Sequence, residues 1–174
     1  TVRVAWIDRY GARSVVRTAG TASATGTPAD APFAPPFVAL PFETDIPETV
    51  VAARLASGET AVVWKDYAVV DSHVTEGWID AAGTAVGQAV DMTPGEPRCD
   101  FPSVVALGDA ALAAWSCCAE SSICGPADVR TAVLRPGAAP VVRKLTSQDG
   151  HCATALAADG ERVALVMARG EYSQ

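Results

Sequence analysis

The polar side chains best suited to binding or catalysis all lie at the end of a short apolar segment or directly after it. They are Asp8, Arg9, Tyr10, Asp66, Tyr67, Asp71 and His73. Carboxylate, guanidinium, phenol and imidazole groups presented together can hydrogen-bond a glycan or a peptide. The alternative interpretation is a turn device, in which each carboxylate accepts backbone N–H bonds where the chain leaves a sheet.

The segment 66–76 contains a second kind of candidate, because it reads as a polar loop that carries a histidine. His73 could titrate near neutral pH, although a solvated loop histidine is the simpler interpretation. Trp78 follows this loop, and we predict that it is partly exposed and offers a stacking platform for a sugar ring. The other three tryptophans recur at a regular position and are predicted to lie in the core.

Five cysteines cluster late in the chain and are candidates for disulfide bonds: Cys99, Cys117, Cys118, Cys124 and Cys152. Adjacent cysteines in an extended strand point to opposite sides, so Cys117 and Cys118 need different partners. A Cys117–Cys124 bridge would close a short hairpin loop, and Cys118 could then reach Cys99 or Cys152, but the sequence leaves the connectivity open. Free buried thiols are one alternative. A thiolate site with His151 is another, but the C-C-x5-C spacing is unlike that of common zinc sites, and no metal is predicted.

Composition and motifs exclude several function classes. The formal charge of -7 argues against nucleic acid or an anionic membrane as the partner. No apolar run approaches the length of a membrane span. The sequence contains no G-x-S-x-G, Walker loop or H-E-x-x-H motif, and it predicts neither catalytic residues nor a cofactor. The cysteine count favours a secreted, periplasmic or cell-surface location.

The elements that must position these residues are short β-strands in a repeated order. Four similar segments occupy 1–8, 59–66, 109–116 and 161–168, and they align on Trp6, Trp64, Trp115 and Met167. The spacings between these anchors are 58, 51 and 52 residues. A regular period in this range indicates a repeat architecture.

Each repeat predicts four antiparallel strands. An entry strand and a tight turn precede the anchor strand, which is followed by a polar loop, a third strand, a glycine turn and a fourth strand. A single unit cannot bury both faces of its sheet, so neighbouring sheets must stack on it. We therefore predict an all-β fold built from β-propeller blades of about 50 residues. A β-sandwich of sequential hairpins is the alternative.

The repeat also predicts how the chain is divided. The whole of 1–174 is one propeller-type domain or part of one, with units at 1–48 (partial), 49–98, 99–150 and 151–174 (partial). In this scheme the chain starts and ends on a second strand, and it holds fewer blades than a usual ring. We expect that another copy of the chain, or a second chain, completes the propeller. Residues 19–36 are predicted to form a long surface loop.

Several of these segments resemble the propeller repeats of bacterial secreted and surface proteins, notably those of myxobacteria. The likeness lies in "VAWID" and "VVWKD", in the "PSVVA" entry strand and in the "GTAV" turn. Such repeats are distantly similar to sialidase-like propellers. The S-x-D-x-G-x-T-W box and the arginine triad of active sialidases do not occur in recognisable form. The resemblance therefore implies a fold and not an activity.

The sequence favours a non-enzymatic function. We expect a secreted or surface module for binding or assembly, which recognises protein or carbohydrate through the face where its loops gather. The alternative is part of a sialidase-like or other glycan-processing enzyme whose catalytic residues lie in further blades. A purely structural subunit is a third interpretation, since propellers support all three roles.

Overall fold

A computed structural model describes residues 3–10, 13–20, 38–39, 47–68, 71–96, 98–118, 127–146, 151–160 and 162–169. All regular secondary structure in these ranges is β-strand, so the predicted all-β class is confirmed. No helix in this described part of the chain is long and apolar enough to cross a membrane.

The described residues form thirteen strands in chain order. They are β1 (Arg3–Tyr10), β2 (Arg13–Gly20), β3 (Val38–Ala39), β4 (Pro47–Arg54), β5 (Thr60–Ala68), β6 (Asp71–Ile79), β7 (Ala85–Asp91), β8 (Arg98–Leu107), β9 (Ala110–Cys118), β10 (Ala127–Leu134), β11 (Val141–Lys144), β12 (His151–Asp159) and β13 (Arg162–Arg169). The four predicted anchor segments coincide with β1, β5, β9 and β13. Residues 21–37, which make up most of the predicted surface loop, lie outside the described residues.

Strand pairing divides the chain into antiparallel units. Strands β4–β7 pair in sequence as a first meander, and β8–β11 pair in the same way as a second meander. A single parallel bridge between Ser72 and Arg98 joins the two meanders into an eight-stranded sheet of mixed topology. Strands β1–β3 form a three-stranded sheet and β12–β13 a hairpin. No sheet within the described ranges closes on itself.

The two faces of the first meander bury different apolar sets, because successive side chains alternate across a strand. Its forward face, defined by Ala61, Val63 and Trp78, belongs to one hydrophobic cluster. Its rear face, defined by Val62, Trp64 and Ile79, belongs to another. Cross-strand register supports this division, since Ala61 pairs with Trp78 and Thr60 with Ile79. The first meander is therefore covered on both sides.

The forward face of the first meander packs against one face of the second. That face of the second meander, its rear face, contains Ala113, Trp115 and Leu134, which share a single core cluster with Val63 and Trp78. Trp64 and Trp115 thus both lie on rear faces, and both are fully buried. Their predicted place in the core is confirmed, while the side chain of Trp6 lies outside the described residues.

The outer units continue this stacking. Strands β1 and β2 contact β4, and β12 contacts β8, β9 and β10. Thr154 on β12 donates its hydroxyl to the carbonyls of Phe101 (2.8 Å) and Ala114 (3.2 Å) of the second meander. Each described unit therefore shares a packed boundary with its neighbour in the sequence.

Candidate functional site

One end of the stacked sheets gathers most of the charged and sulfur-bearing side chains. The antiparallel register places the end of β5 beside the starts of β4 and β6, and the end of β9 beside the starts of β8 and β10. We call this region the polar end. It comprises Glu48, 65–67, 71–73, 98–100 and 116–118. The second strands β5 and β9 therefore end, and the third strands β6 and β10 begin, at the same end of the sheets.

Four predicted ligand residues of the first meander do come together at the polar end, but they lie in strands: Asp66, Tyr67, Asp71 and His73. Asp66 pairs with His73, and Asp71 pairs with Ala68. The prediction of a loop over 66–76 is therefore wrong, since β5 runs to Ala68 and β6 begins at Asp71. The backbone hydrogen bonds that pair β5 with β6 do not require apolar side chains. The two strands therefore continue through residues whose side chains are polar.

The corresponding residues of the first unit lie on β1. Asp8, Arg9 and Tyr10 pair in register with Val15, Ser14 and Arg13 of β2. Their side chains lie outside the described residues, and their proposed contact with a ligand stays a prediction.

A buried lysine organises the polar end. The Nζ atom of Lys65 lies 2.8 Å from Oδ2 of Asp100 and 3.2 Å from Oε2 of Glu48. It also lies 5.6 Å from the ring centroid of Tyr67, close enough for a cation–π contact. Glu48 and Lys65 face each other on β4 and β5, whereas Asp100 comes from β8 of the second meander. The ammonium group therefore links the two meanders electrostatically.

The two carboxylates keep Lys65 charged. Burial of the ammonium on its own lowers the pKa of Lys65, but the hydrogen bonds and charges of Asp100 and Glu48 outweigh it, so that its pKa is raised. The stabilisation from this shift is present below the ordinary value of 10.5 and is lost as pH rises through the folded-state pKa.

Replacing Lys65 by Met should lower the free energy of unfolding by about 1–2 kcal/mol, because two partly buried carboxylates lose their counter-charge. A double-mutant cycle in urea with Asp100→Asn should give a coupling of about 1–2 kcal/mol. The matched cycle with Glu48→Gln should give under about 1 kcal/mol, since the Glu48 side chain is 45% exposed and that of Asp100 only 22%. Equal couplings in the two cycles would contradict the assigned geometry.

Trp78 does not lie where the sequence predicted. It is only 5% exposed and packs in the core between the two meanders. The proposed exposed sugar platform at Trp78 is therefore wrong. The second meander covers the face of β6 on which Trp78 lies, and this packing is a long-range effect.

Glu76 lies beside Trp78 on the same face of β6 and is 2% exposed. Desolvation by burial raises the pKa of Glu76 to about 7, and the nearby indole N–H of Trp78 offsets this only in part. That contact is not a well-aligned hydrogen bond, and Oε2 of Glu76 has no donor among the described residues. Burial therefore dominates, and the carboxyl group takes up its proton near neutral pH.

A cleft of about 260 Å³ opens between the meanders next to the polar end. Its lining residues come from the connection after β7 and from the rear face and outer strand of the second meander. They are Met92, Thr93, Pro94, Glu96, Trp115, Cys117, Arg130 and Val142.

A tight turn positions one wall of this cleft. The Glu96 N–H donates to the carbonyl of Thr93 (3.1 Å), and Gly95 between them has a φ of 77°. Proline followed by glycine with positive φ is the pattern of a type II turn. The turn directs Glu96 toward β10, where its Oε1 atom lies 2.8 Å from a guanidinium nitrogen of Arg130.

The disulfide at the polar end joins Cys99 of β8 to Cys117 of β9, which face each other across the strand pair. The structure therefore adopts neither the Cys117–Cys124 bridge nor the Cys99–Cys118 bridge that the spacing suggested. Both depended on sequence spacing, whereas register decides which cysteines meet. Cys124 and the side chain of Cys152 lie outside the described residues. Within those residues, no group of three or more His, Cys, Asp or Glu side chains could hold a metal ion.

Sequence reasoning missed Glu96 and Arg130, which form the charged pair in the cleft. The Thr-Pro-Gly-Glu turn was a readable local signal for the position of Glu96. Arg130 carried no such signal, because its place opposite Trp115 depends on the pairing of β9 with β10. Comparisons with family models, curated proteins and solved structures found no match to this chain.

Proposed function

We propose that the chain is a β-propeller-type module of a secreted, periplasmic or surface protein, related to the bacterial repeats it resembles. In this proposal it binds a protein or carbohydrate ligand through its polar end and catalyses no reaction. One observation supports the proposal most strongly. The ion pairs of the buried Lys65 and the cleft that contains the Glu96–Arg130 pair lie at the same end of the stacked sheets. The opposite end carries short turns.

The stacking of the units supports the propeller part of the proposal. Two successive four-stranded meanders pack rear face to forward face, and each places a fully buried tryptophan on its rear face. Stacking in one direction with the same residue at the same position is the packing that propeller blades require.

The buried disulfide supports the proposed location. Cys99 and Cys117 are both essentially inaccessible and are joined across one strand pair. Disulfides of this kind persist in oxidising compartments and are rare in the cytosol.

Matched charge reversals test the binding role. Asp71→Arg alters the polar end, and Asp109→Arg alters the turn at the opposite end of the sheets. On an array of glycans and candidate proteins, we expect Asp71→Arg to weaken binding about tenfold or more, as loss of a charged contact does. Asp109→Arg should leave the affinity unchanged.

Two outcomes would overturn this proposal. Equal effects of the two reversals would show that the polar end does not bind the ligand. Turnover of an array glycan by the chain would favour the glycan-processing alternative over a binding module.

The hairpin β12–β13 supports a partner that extends the stack. Thr154 contacts the second meander, so the opposite face of the hairpin is the one that carries Ala155 and Val166. Val166 is 65% exposed, whereas Ala61 and Val63 on the forward face of the first meander are fully buried. We propose that another copy of the chain or a second chain covers this face. The native mass of the purified chain tests this, and a persistent single-copy mass would count against it.

A further inference from the structure

Two entry strands carry a β-bulge at the same place beside the polar end. The bulge in β4 falls on Thr49, directly after Glu48, and the bulge in β8 begins at Phe101, directly after Asp100. Glu48 and Asp100 are the two carboxylates that contact Lys65. A β-bulge re-aims a side chain and is common next to functional sites. Both bulge residues are exposed, so the two bulges shape the surface beside the polar end.

The backbone of both bulge residues adopts a conformation that their side chains disfavour. Thr49 has a φ of 44° and Phe101 a φ of 56°, in the left-handed region that β-branched and bulky residues rarely adopt. Every other positive φ among the described residues belongs to a glycine. Such outliers gather at binding sites, where the surrounding structure holds them in place. The Phe101 side chain, the larger of the two, is therefore a candidate contact for a ligand.

The neighbours of Phe101 fix its backbone and leave the residue at the surface. The Phe101 N–H donates to Oδ1 of Asp100 (2.8 Å), and the hydroxyl of Thr154 donates to the Phe101 carbonyl (2.8 Å). The other oxygen of Asp100 accepts from Lys65, so the bulge is tied to both meanders. Phe101 is 44% exposed and belongs to neither hydrophobic cluster. A ligand would therefore meet a preorganised aromatic residue, which lowers the cost of binding.

The charges around Phe101 select a cation. Lys65 neutralises one of its two carboxylates, which leaves one negative charge beside the bulge. The Glu48 side chain is 45% exposed and within reach of a ligand. The face of an aromatic ring is itself negative and attracts a cation. The polar end as a whole has a formal charge of -2, since four acids outnumber two permanent cations: Glu48, Asp66, Asp71 and Asp100 against Lys65 and Arg98.

We propose that Phe101 is the central contact residue of the polar end and that it receives an arginine side chain from a basic segment of a partner protein. The guanidinium group lies over the ring of Phe101 and donates to the carboxylate of Glu48, since guanidinium stacks on aromatic faces and pairs with carboxylates. An uncharged sugar gains nothing from the negative charge, and an anionic ligand is repelled by it. This inference rests on the proposed binding function and assigns it to a basic protein ligand.

Calorimetric titration of the full chain with simple peptides tests the assignment. The cationic probe is a tetra-arginine peptide. The matched neutral probe has citrulline in place of each arginine, which keeps the shape of the side chain and removes its charge, and a tetra-glutamate peptide is the anionic probe. We expect the arginine peptide to bind about tenfold or more tightly than the citrulline peptide, and the glutamate peptide not to bind.

Variants separate an aromatic contact from a merely apolar one. Phe101→Leu keeps an apolar side chain without a π face and should weaken binding of the arginine peptide about tenfold, whereas Phe101→Trp should strengthen it about threefold. Glu48→Gln should weaken binding about threefold, as loss of an exposed ion pair does. Val141→Ala, which alters a 53% exposed apolar residue near the opposite end of the sheets, is the matched control and should not change binding. If Phe101→Leu fails to fold, Phe101→Trp and Glu48→Gln still test the contact.

The outcomes distinguish this inference from the proposed function. A citrulline peptide that binds as well as the arginine peptide would overturn it, and so would unchanged binding by folded Phe101→Leu. If the arginine peptide does not bind, yet ligand capture on the array remains sensitive to Asp71→Arg, the polar end binds another class of ligand and only this inference fails. If Asp71→Arg has no effect either, both proposals fail.

Discussion

Replacing Glu76 by Gln should raise the free energy of unfolding at about pH 8 by about 3 kcal/mol. Glu76 is 2% exposed, and burial raises the pKa of its carboxyl group from an ordinary 4.5 to about 7. Above pH 7 the folded protein must hold an ionised carboxylate in a core without a donor for its Oε2 atom. Glutamine keeps the shape and the polar contact with Trp78 but carries no charge.

The sign of the pH dependence follows from the direction of the shift. Below pH 4.5 the group is protonated in both the folded and the unfolded state, and it contributes no pH dependence. Between 4.5 and about 7 the unfolded chain releases the proton and the folded chain retains it, so stability falls as pH rises. Above about pH 7 both states are ionised, and the loss stays at its full value.

Urea denaturation of both proteins across pH 4–9 measures this difference. The wild-type chain should lose stability between pH 4.5 and 7 relative to Glu76→Gln, and the two should converge in acid. Glu59→Gln, in a turn at the opposite end of the sheets, is the matched control and should preserve the wild-type profile. Parallel profiles for the wild type and Glu76→Gln would show that this carboxyl is not the buried acid described above.

The repeat made most of the strand arrangement predictable from the sequence. Trp64 and Trp115 recur at an equivalent place in each unit, and both are fully buried on rear faces. The period-2 alternation around them fixes which face is apolar, and glycine turns fix where a strand ends. These local patterns were sufficient to predict the positions of the strands and the all-β class. The ring arrangement depends on how units stack, and it stays a proposal.

The candidate site depended on contacts that no local pattern encodes. Trp78 has an ordinary amphipathic setting in the sequence, and only the second meander makes it a core residue. Arg130 gains its role from a turn more than thirty residues earlier, through Glu96. The partner of Cys117 is decided by register, because a one-residue slip would carry its side chain to the other face. Long-range packing and register are therefore what the sequence reading lacked.

Removing the Cys99–Cys117 disulfide by a double alanine replacement should lower the free energy of unfolding by about 3 kcal/mol. The bond closes a loop with a sequence separation of 18 residues, and this constraint removes conformations from the unfolded chain. Both cysteines are buried, so alanine introduces no polar group and the loss comes mainly from the crosslink. For a chain of this length the midpoint of thermal unfolding should fall by roughly 6–12 °C.

Thermal unfolding under oxidising conditions measures the effect, and a non-reducing peptide map identifies the bond. A peptide that links Cys117 to Cys99 and is lost in the double variant is the expected product. A map that instead links Cys117 to Cys124 would contradict the cross-strand pairing of β8 with β9.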